Sequence, residues 1–303
     1  MINLLFRAIM MSTPLLYGAI GEVYAERSGM MVCAIEGVFL MGSWGAFTAA
    51  YLSHSLLCGV LCGMLCGILT AALYAWITVT LKQHQVVTGT AMNILATGLC
   101  NFLQRVFFGV PTAPLTVDPL PQIAIPLLSK IPWIGHILFD QNILTYILYL
   151  IIPISWFVLY RTSTGLTIRA TGENPESVDV AGINVDKVRF LTVLLAGAMG
   201  GIAGAFYSIG YLGLFTTNII NGRGWIAFAI CFLGNWNPIG ALYGTLVFGI
   251  TEALAIKMQS GGTSILPNEL FIALPYILTI ILTMSRRQFN VPAKLGVPYQ
   301  KED

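Results

Sequence analysis

Two carboxylates stand where carboxylates are costly. Glu36 lies in Ala34-Ile-Glu-Gly37 and Glu252 in Gly249-Ile-Thr-Glu252, both inside apolar runs. An acid at mid-membrane costs about 2.5–3.5 kcal/mol on insertion scales, so each must face protein or water and find a partner. Each is either a packing acid held by hydrogen bonds or a group that lines a pathway for polar solute. Thr88 and Asn93, with Asn101 and Gln104 further along, give a third apolar stretch a polar side. They suit solute contacts or hydrogen bonds between helices. No cluster for covalent or hydrolytic chemistry accompanies them. There is no Gly-x-x-x-x-Gly-Lys-Ser/Thr phosphate loop, no His-Glu-x-x-His and no Gly-x-Ser-x-Gly elbow, and His54, His84 and His136 are scattered. The chain is therefore expected to be no enzyme, an ATPase included, and to bind no metal or cofactor.

A different pattern marks Arg169 to Arg189, a polar island in a chain that is otherwise oil. Asn174 is a good N-cap, because its side-chain oxygen can accept from an amide of the first turn. Pro175 suits the first helical position, and Glu176 and Asp179 suit the positive end of a helix dipole. Gly182 is a natural stop. The expectation is a helix of about two turns from Pro175 to Ala181, with Val178 and Ala181 on one face. So short a helix is marginal alone. It docks either onto its own membrane domain or onto a partner protein.

The elements that position these groups follow from composition. The 303 residues are 56% hydrophobic and 9% charged, with a net charge of +2. Soluble domains carry about 25% charge. The expectation is an all-α, polytopic transmembrane bundle over 1–303, a single domain with no nucleic-acid partner. Taking about 20 apolar residues per span, nine spans emerge, within a range of eight to ten. They are Leu4–Val23, Met30–Tyr51, Leu56–Thr80, Val86–Phe108, Ile143–Tyr160, Phe190–Leu214, Ile220–Trp236, Pro238–Lys257 and Leu270–Thr283. The seventh is short and holds Asn221-Gly-Arg223-Gly, the mark of a broken or re-entrant helix shielded by protein or lining a cavity. Cys58, Cys62 and Cys66 alternate with Gly59, Gly63 and Gly67, a small-residue face for close helix packing. Gly197/Gly201, Gly200/Gly204 and Gly240/Gly244 repeat the device.

Lys and Arg concentrate in the loop 161–189 and the C-terminal tail, which with Arg27 and Lys82 are assigned to the cytoplasm. The segment 109–142 carries six prolines and cannot span. It reads as an external cap or as a docking surface for an extracytoplasmic protein.

The run Gly172-Glu-Asn-Pro…Ala181-Gly-Ile-Asn resembles the cytoplasmic coupling loop of ATP-binding-cassette (ABC) importer permeases, in the group of ribose, nucleoside and branched-chain amino acid permeases. Glu26-Arg-Ser-Gly29 with Ile35-Glu-Gly37, Gln85-Val-Val…Asn93-Ile-Leu, and Phe232-Leu-Gly-Asn-Trp-Asn-Pro-Ile-Gly-Ala241 extend the resemblance over most of Thr13 to Thr283. It is nearest to nucleoside and simple-sugar permeases that work beside a lipoprotein of the basic-membrane-protein type. One departure is Val32, where the family usually has Asn. The resemblance implies a permease subunit in a bacterial cytoplasmic membrane. Glu173, Asn174, Pro175, Glu176, Val178, Ala181 and Gly182 would meet a separate ATPase. Glu36, Thr88, Asn93 and Glu252 would line the pathway. The implied partners are two ATPase subunits, a second permease chain, different in sequence or else a second copy of this one, and an extracytoplasmic solute-binding lipoprotein. Branched-chain amino acids as the solute, and an autonomous ion-coupled transporter, stay open at this point.

Overall fold

The computed structural model describes residues 2–110, 113–126, 129, 134–260 and 289–300, with positions 273, 277, 280, 281 and 284. The described residues include eleven α-helices, two π-helical turns and one two-stranded ribbon. Six helical stretches are long and apolar enough to cross a membrane: Ile2–Arg27, Leu56–Thr80, Gln85–Phe108, Ile143–Arg161, Val185–Leu212 and Pro238–Met258. The chain is thus helical and polytopic.

Two expected spans differ from the sequence reading. The second begins at Ile35, not Met30, because Gly29–Ala34 runs as irregular chain before α2 (Ile35–Ser53). α2, which carries Glu36, three glycines and two serines, is not among the six. The seventh is reduced to α10 (Arg223–Leu233). Its 11 residues reach only about 16 Å, half a bilayer. The ninth, Leu270–Thr283, lies outside the described residues apart from isolated positions.

Burial sorts the helices. α1 (Ile2–Arg27) and α9 (Val185–Ala205), which continues as a π-helical turn Phe206–Leu212, form the centre. The most apolar windows of these two spans are 61% buried, against 28% for α3 (Leu56–Ala75) and 22% for α4 (Gln85–Phe108). The pattern on α3 shows why. Gly59, Gly63 and Gly67 face inward, while Leu57, Leu61, Leu65 and Leu69 form an exposed stripe suited to lipid. A Cβ on Gly67 would collide with the Gly197 carbonyl, so the α3–α9 crossing requires glycine there.

The two ends of the bundle are unlike. At one, 113–126 folds over the π-helical turn: Val117 N–H donates to Gly213 O (2.7 Å) and Leu120 N–H to Ile209 O (2.8 Å). β1 (Gln122–Ala124) pairs antiparallel with β2 (Asp140–Asn142), flanking the short α5 (Ile134–Leu138), ahead of α6 (Ile143–Arg161). This part of the proline-rich segment is therefore a built cap.

At the other end, the groups grouped by charge come together. Lys82 pairs with Asp186 at 2.6 Å. Lys294 N–H donates to Gly172 O (2.9 Å), and Gly296 N–H to Gly29 O (3.0 Å). Buried Arg189 donates to Ser28 O (3.2 Å) and Val297 O (2.9 Å). The loop, the tail, Arg27 and Lys82 share one end.

Candidate functional site

The two acids singled out by sequence meet across one turn. Asn221 (φ 48°) and Gly222 (φ 84°) are left-handed, a conformation that Gly and Asn tolerate best. Such a turn leaves the first amides of α10 converging. Glu36 fills the resulting cradle. Gly222 N–H donates to its Oε1 and Gly224 N–H to its Oε2, both at 2.7 Å. A carboxylate thus caps the positive end of the half-length helix. Gly224 is required because any Cβ there would strike Glu36 (Cα at 2.6 Å).

Between the two glycines, Arg223 points the other way. Its Nη2 meets Glu252 Oε1 at 2.8 Å, the carboxylate coming from α11 (Pro238–Ser260). Its guanidinium also lies 5.4 Å from the Tyr207 ring centre. Arg223, Glu252 and Tyr207 line a cavity of ≈ 160 Å³ whose remaining walls are mainly apolar, among them Met10, Phe206 and Tyr211. The Tyr207 hydroxyl is buried without a hydrogen-bond partner among the described residues. A guanidinium, a carboxylate and a phenol therefore converge on one space inside the bundle. They can exchange hydrogen bonds with a polar solute, but they include no nucleophile–base pair.

The sequence candidates separate here. Glu252 lines the cavity. Glu36 anchors α10 behind it. Asn93 works elsewhere, as its Oδ1 accepts from Gly37 N (2.8 Å) and its Nδ2 donates to Cys33 O (2.9 Å). It clamps the irregular entry to α2. Thr88, on the same helix, is half-buried and does not line the cavity.

Arg223 and Tyr207 were missed by sequence reasoning, although the Asn-Gly-Arg-Gly break was the available signal. Glu22 and Glu26, one helical turn apart on α1, were missed too. Both are fully buried. Trp236 Nε1 donates to Glu26. The carboxyl of Glu22 lies beside the Val32 amide, and neither oxygen completes a hydrogen bond among the described residues.

The loop 161–189 holds two helices ahead of α9. α7 (Ser163–Glu173), unexpected from sequence, is capped by Thr162, whose Oγ1 accepts from Gly165 N (3.2 Å). α8 (Pro175–Val180) follows, capped by Asn174 Oδ1 accepting from Ser177 N (3.1 Å). Pro175 begins it and Gly182 (φ 81°) ends it, as their residue types predict. The helix stops one residue short of expectation, with Ala181 as C-cap. The expected Val178–Ala181 face divides. Val178 is 5% exposed and packs into its own chain, while Val180 is 89% and Ile183 38% exposed. Ala181 is exposed with them. Glu173 accepts from Ala293 N (3.2 Å), and Glu176 faces Lys294 at 3.6 Å, so both acids lie against the tail.

Comparison with known proteins matches this arrangement to one family. Residues 4–283 match the family described as branched-chain amino acid transport system / permease component. The chain is 36% identical over 299 residues to the nucleoside ABC transporter permease protein NupC of Lactococcus lactis subsp. cremoris, covering 96% of this chain and 94% of that protein. It is 34% identical to the guanosine ABC transporter permease protein NupQ of Bacillus subtilis (96% and 94% covered). It is also 34% identical to the putative glucose ABC transporter permease protein TsgC13 of Haloferax volcanii (88% and 80%). A solved inward-facing conformation of a putative metal-chelate type ABC transporter shares the fold, with a TM-score of 0.53, 16% identity, and coverage of 94% of this chain and 87% of that one. The chain belongs to the branched-chain amino acid transport system permease family, and it is a membrane-spanning permease subunit of an ABC importer, not an enzyme.

Proposed function

We propose that this permease carries nucleosides or simple sugars across a bacterial cytoplasmic membrane, as half of a two-chain pathway. The loop 161–189 and the tail face the cytoplasm, and the bundle crosses the membrane about nine times. Two ATPase subunits bind below. A second, different permease completes the pathway, and an extracytoplasmic lipoprotein delivers solute. ATP is consumed by the ATPase, and this chain binds no cofactor. The wall formed by Arg223, Glu252 and Tyr207 offers the passing solute both donors and acceptors, which suits a hydroxyl-rich molecule. Relatives named for nucleosides and glucose support that class.

One observation carries the coupling role. α8 is capped at both ends and anchored by Val178, yet it holds Val180 out in water. A fixed, exposed apolar residue beside Ile183 is a ready contact for a partner groove. Glu173, Asn174, Pro175, Glu176, Ala181 and Gly182 hold that contact in place. The test is retention of the phosphate-loop ATPase that co-purifies with the wild-type chain. Val180→Asp should abolish retention while the melting temperature stays unchanged. Retention at wild-type strength would remove α8 from the interface. ATP-driven uptake by the assembled complex should follow labelled guanosine or glucose; uptake of leucine alone would assign the solute to branched-chain amino acids instead.

A further inference from the structure

A second cavity is larger than the one that holds the Arg223–Glu252 pair. It is an open chamber of ≈ 900 Å³ at the end of the bundle that carries the loop and the tail. Its wall is built from four places in the chain: the end of α1, the α6–α7 region, the turn between α10 and α11, and residues 289–291. Two guanidiniums, Arg27 and Arg169, face a single carboxylate, Glu173. Among the described residues Arg27 spends two donors, on Trp236 O (2.9 Å) and Asn235 O (3.3 Å), which leaves the rest of its fork for another acceptor. Arg169 lies 5.2 Å from the Tyr160 ring centre, and its buried Nε has no hydrogen-bond partner among the described residues. Glu173 is engaged with the Ala293 amide and lies at the exposed edge. The chamber is thus positive and under-satisfied in acceptors.

We propose that this chamber holds the phosphate of an anionic phospholipid headgroup. Guanidinium forks match phosphate oxygens in pairs, and basic pockets between membrane helices bind such headgroups. Two further observations favour a lipid over a soluble anion. Tyr160 and Tyr243 on the wall are the aromatic type that sits at headgroup level. From the chamber, Ile239, Tyr243 and Val247 run along α11 at i, i+4 spacing, 38%, 66% and 37% exposed. That stripe is a track for an acyl chain leading away from the basic wall. The bound lipid would tie the α10–α11 turn to α7, hence the cavity wall to the coupling element.

The test uses the full chain, purified in detergent and stripped of lipid, with no ATPase present. Phosphatidylglycerol, phosphatidylcholine and inorganic phosphate are added separately, and retention is read by native mass spectrometry alongside thermal melting. Phosphatidylglycerol should be retained and should raise the melting temperature; phosphatidylcholine should do neither. Arg169→Gln should weaken phosphatidylglycerol retention about fivefold, the worth of one basic residue near a headgroup. Lys187→Gln removes an exposed charge from the same end without touching the chamber and should leave retention intact. Asn237→Asp keeps a good N-cap residue but adds a negative charge to the wall, so it should weaken retention even if Arg169→Gln does not fold. Equal loss with Lys187→Gln would overturn the site in favour of diffuse surface charge. Protection by inorganic phosphate equal to that by phosphatidylglycerol would overturn the lipid in favour of a soluble anion. Equal retention of the two lipids by the wild-type chain would overturn both.

Discussion

The cluster around α10 and the loop around α8 are opposites in solvent. The first places Glu36, Arg223, Glu252 and Tyr207 among apolar helices. The second places Val180 and Ile183 in water. In each, residue type contradicts surroundings, and in each a rigid local device keeps the contradiction in place: a capped half-helix in one, a twice-capped single helix in the other. The difference lies in what answers the contradiction. The inner cluster is nearly self-sufficient, since its charges are paired within the chain. The outer element has no partner for Val180 among the described residues. Stability should therefore depend on the first and assembly on the second.

The largest effect is expected at Glu36. Glu36→Ala leaves two amides, those of Gly222 and Gly224, without acceptors. At about 1–3 kcal/mol per orphaned donor, the cost is about 2–6 kcal/mol. Thermal melting in detergent should show a large drop, and Glu36→Gln, which keeps one acceptor, roughly half of it. A wild-type melting curve for Glu36→Ala would show that α10 does not need its anchor, and the claim of self-sufficiency would fail.

Next comes the ion pair. Breaking a buried pair costs about 3–5 kcal/mol, and the partial exposure of Arg223 and Glu252 lowers the expectation for Glu252→Gln to about 1–3 kcal/mol. Arg223→Met with Glu252→Met removes both charges and should recover much of that stability. Uptake by the assembled complex should stay more than tenfold down in the double variant, with ATPase binding intact. Recovery of uptake together with stability would make the pair a packing device and nothing more.

A smaller pair of effects separates neighbours on α8. Val178→Ala should lower stability by about 1–2 kcal/mol, within the value of a buried valine side chain. Val180→Ala should leave melting untouched and weaken ATPase retention. If the two variants behave alike, the inward and outward sides of α8 are not distinct.

How much of this was legible in the sequence depended on the distance over which each feature is decided. Caps are decided within four residues, so Asn174, Pro175 and Gly182 could be read directly. Small-residue faces are decided by one helix's periodicity, so the Gly59–Gly67 stripe could be read as well. The partner of Glu36 lies 186 residues away at Gly222, and no local pattern records that pairing. The sequence showed that two acids needed partners, but not that one would cap a helix while the other met Arg223. The i, i+3 spacing of Val178 and Ala181 names a face without saying where it points. Docking against the rest of the chain decides that, and it turned Val178 inward. Asn93 could be a solute contact or a clamp on spacing alone; the irregular chain before α2, which needs hydrogen bonds for its exposed peptide groups, made it a clamp.

The smallest expected effect sharpens the comparison most, because it separates the cap from the anchor. Asn174 accepts from the Ser177 amide, one of the orphan donors of the first turn of α8. Asn174→Ala removes that acceptor for about 1 kcal/mol, whereas Asn174→Asp keeps it. Because Val178 still holds the helix down, the chain should melt at nearly the same temperature in both. The first turn should nonetheless fray in the alanine variant, so the Ser177 amide should exchange with deuterium about fivefold faster, the factor that 1 kcal/mol represents. A frayed α8 presents Val180 less often, and ATPase retention should fall by a similar factor, with Asn174→Asp near wild type. Unchanged exchange in Asn174→Ala would mean that Val178 and the tail contacts of Glu173 and Glu176 fix the helix without its cap. Faster exchange with unchanged ATPase retention would mean that the partner orders the helix on contact, and that the outer element is completed by assembly.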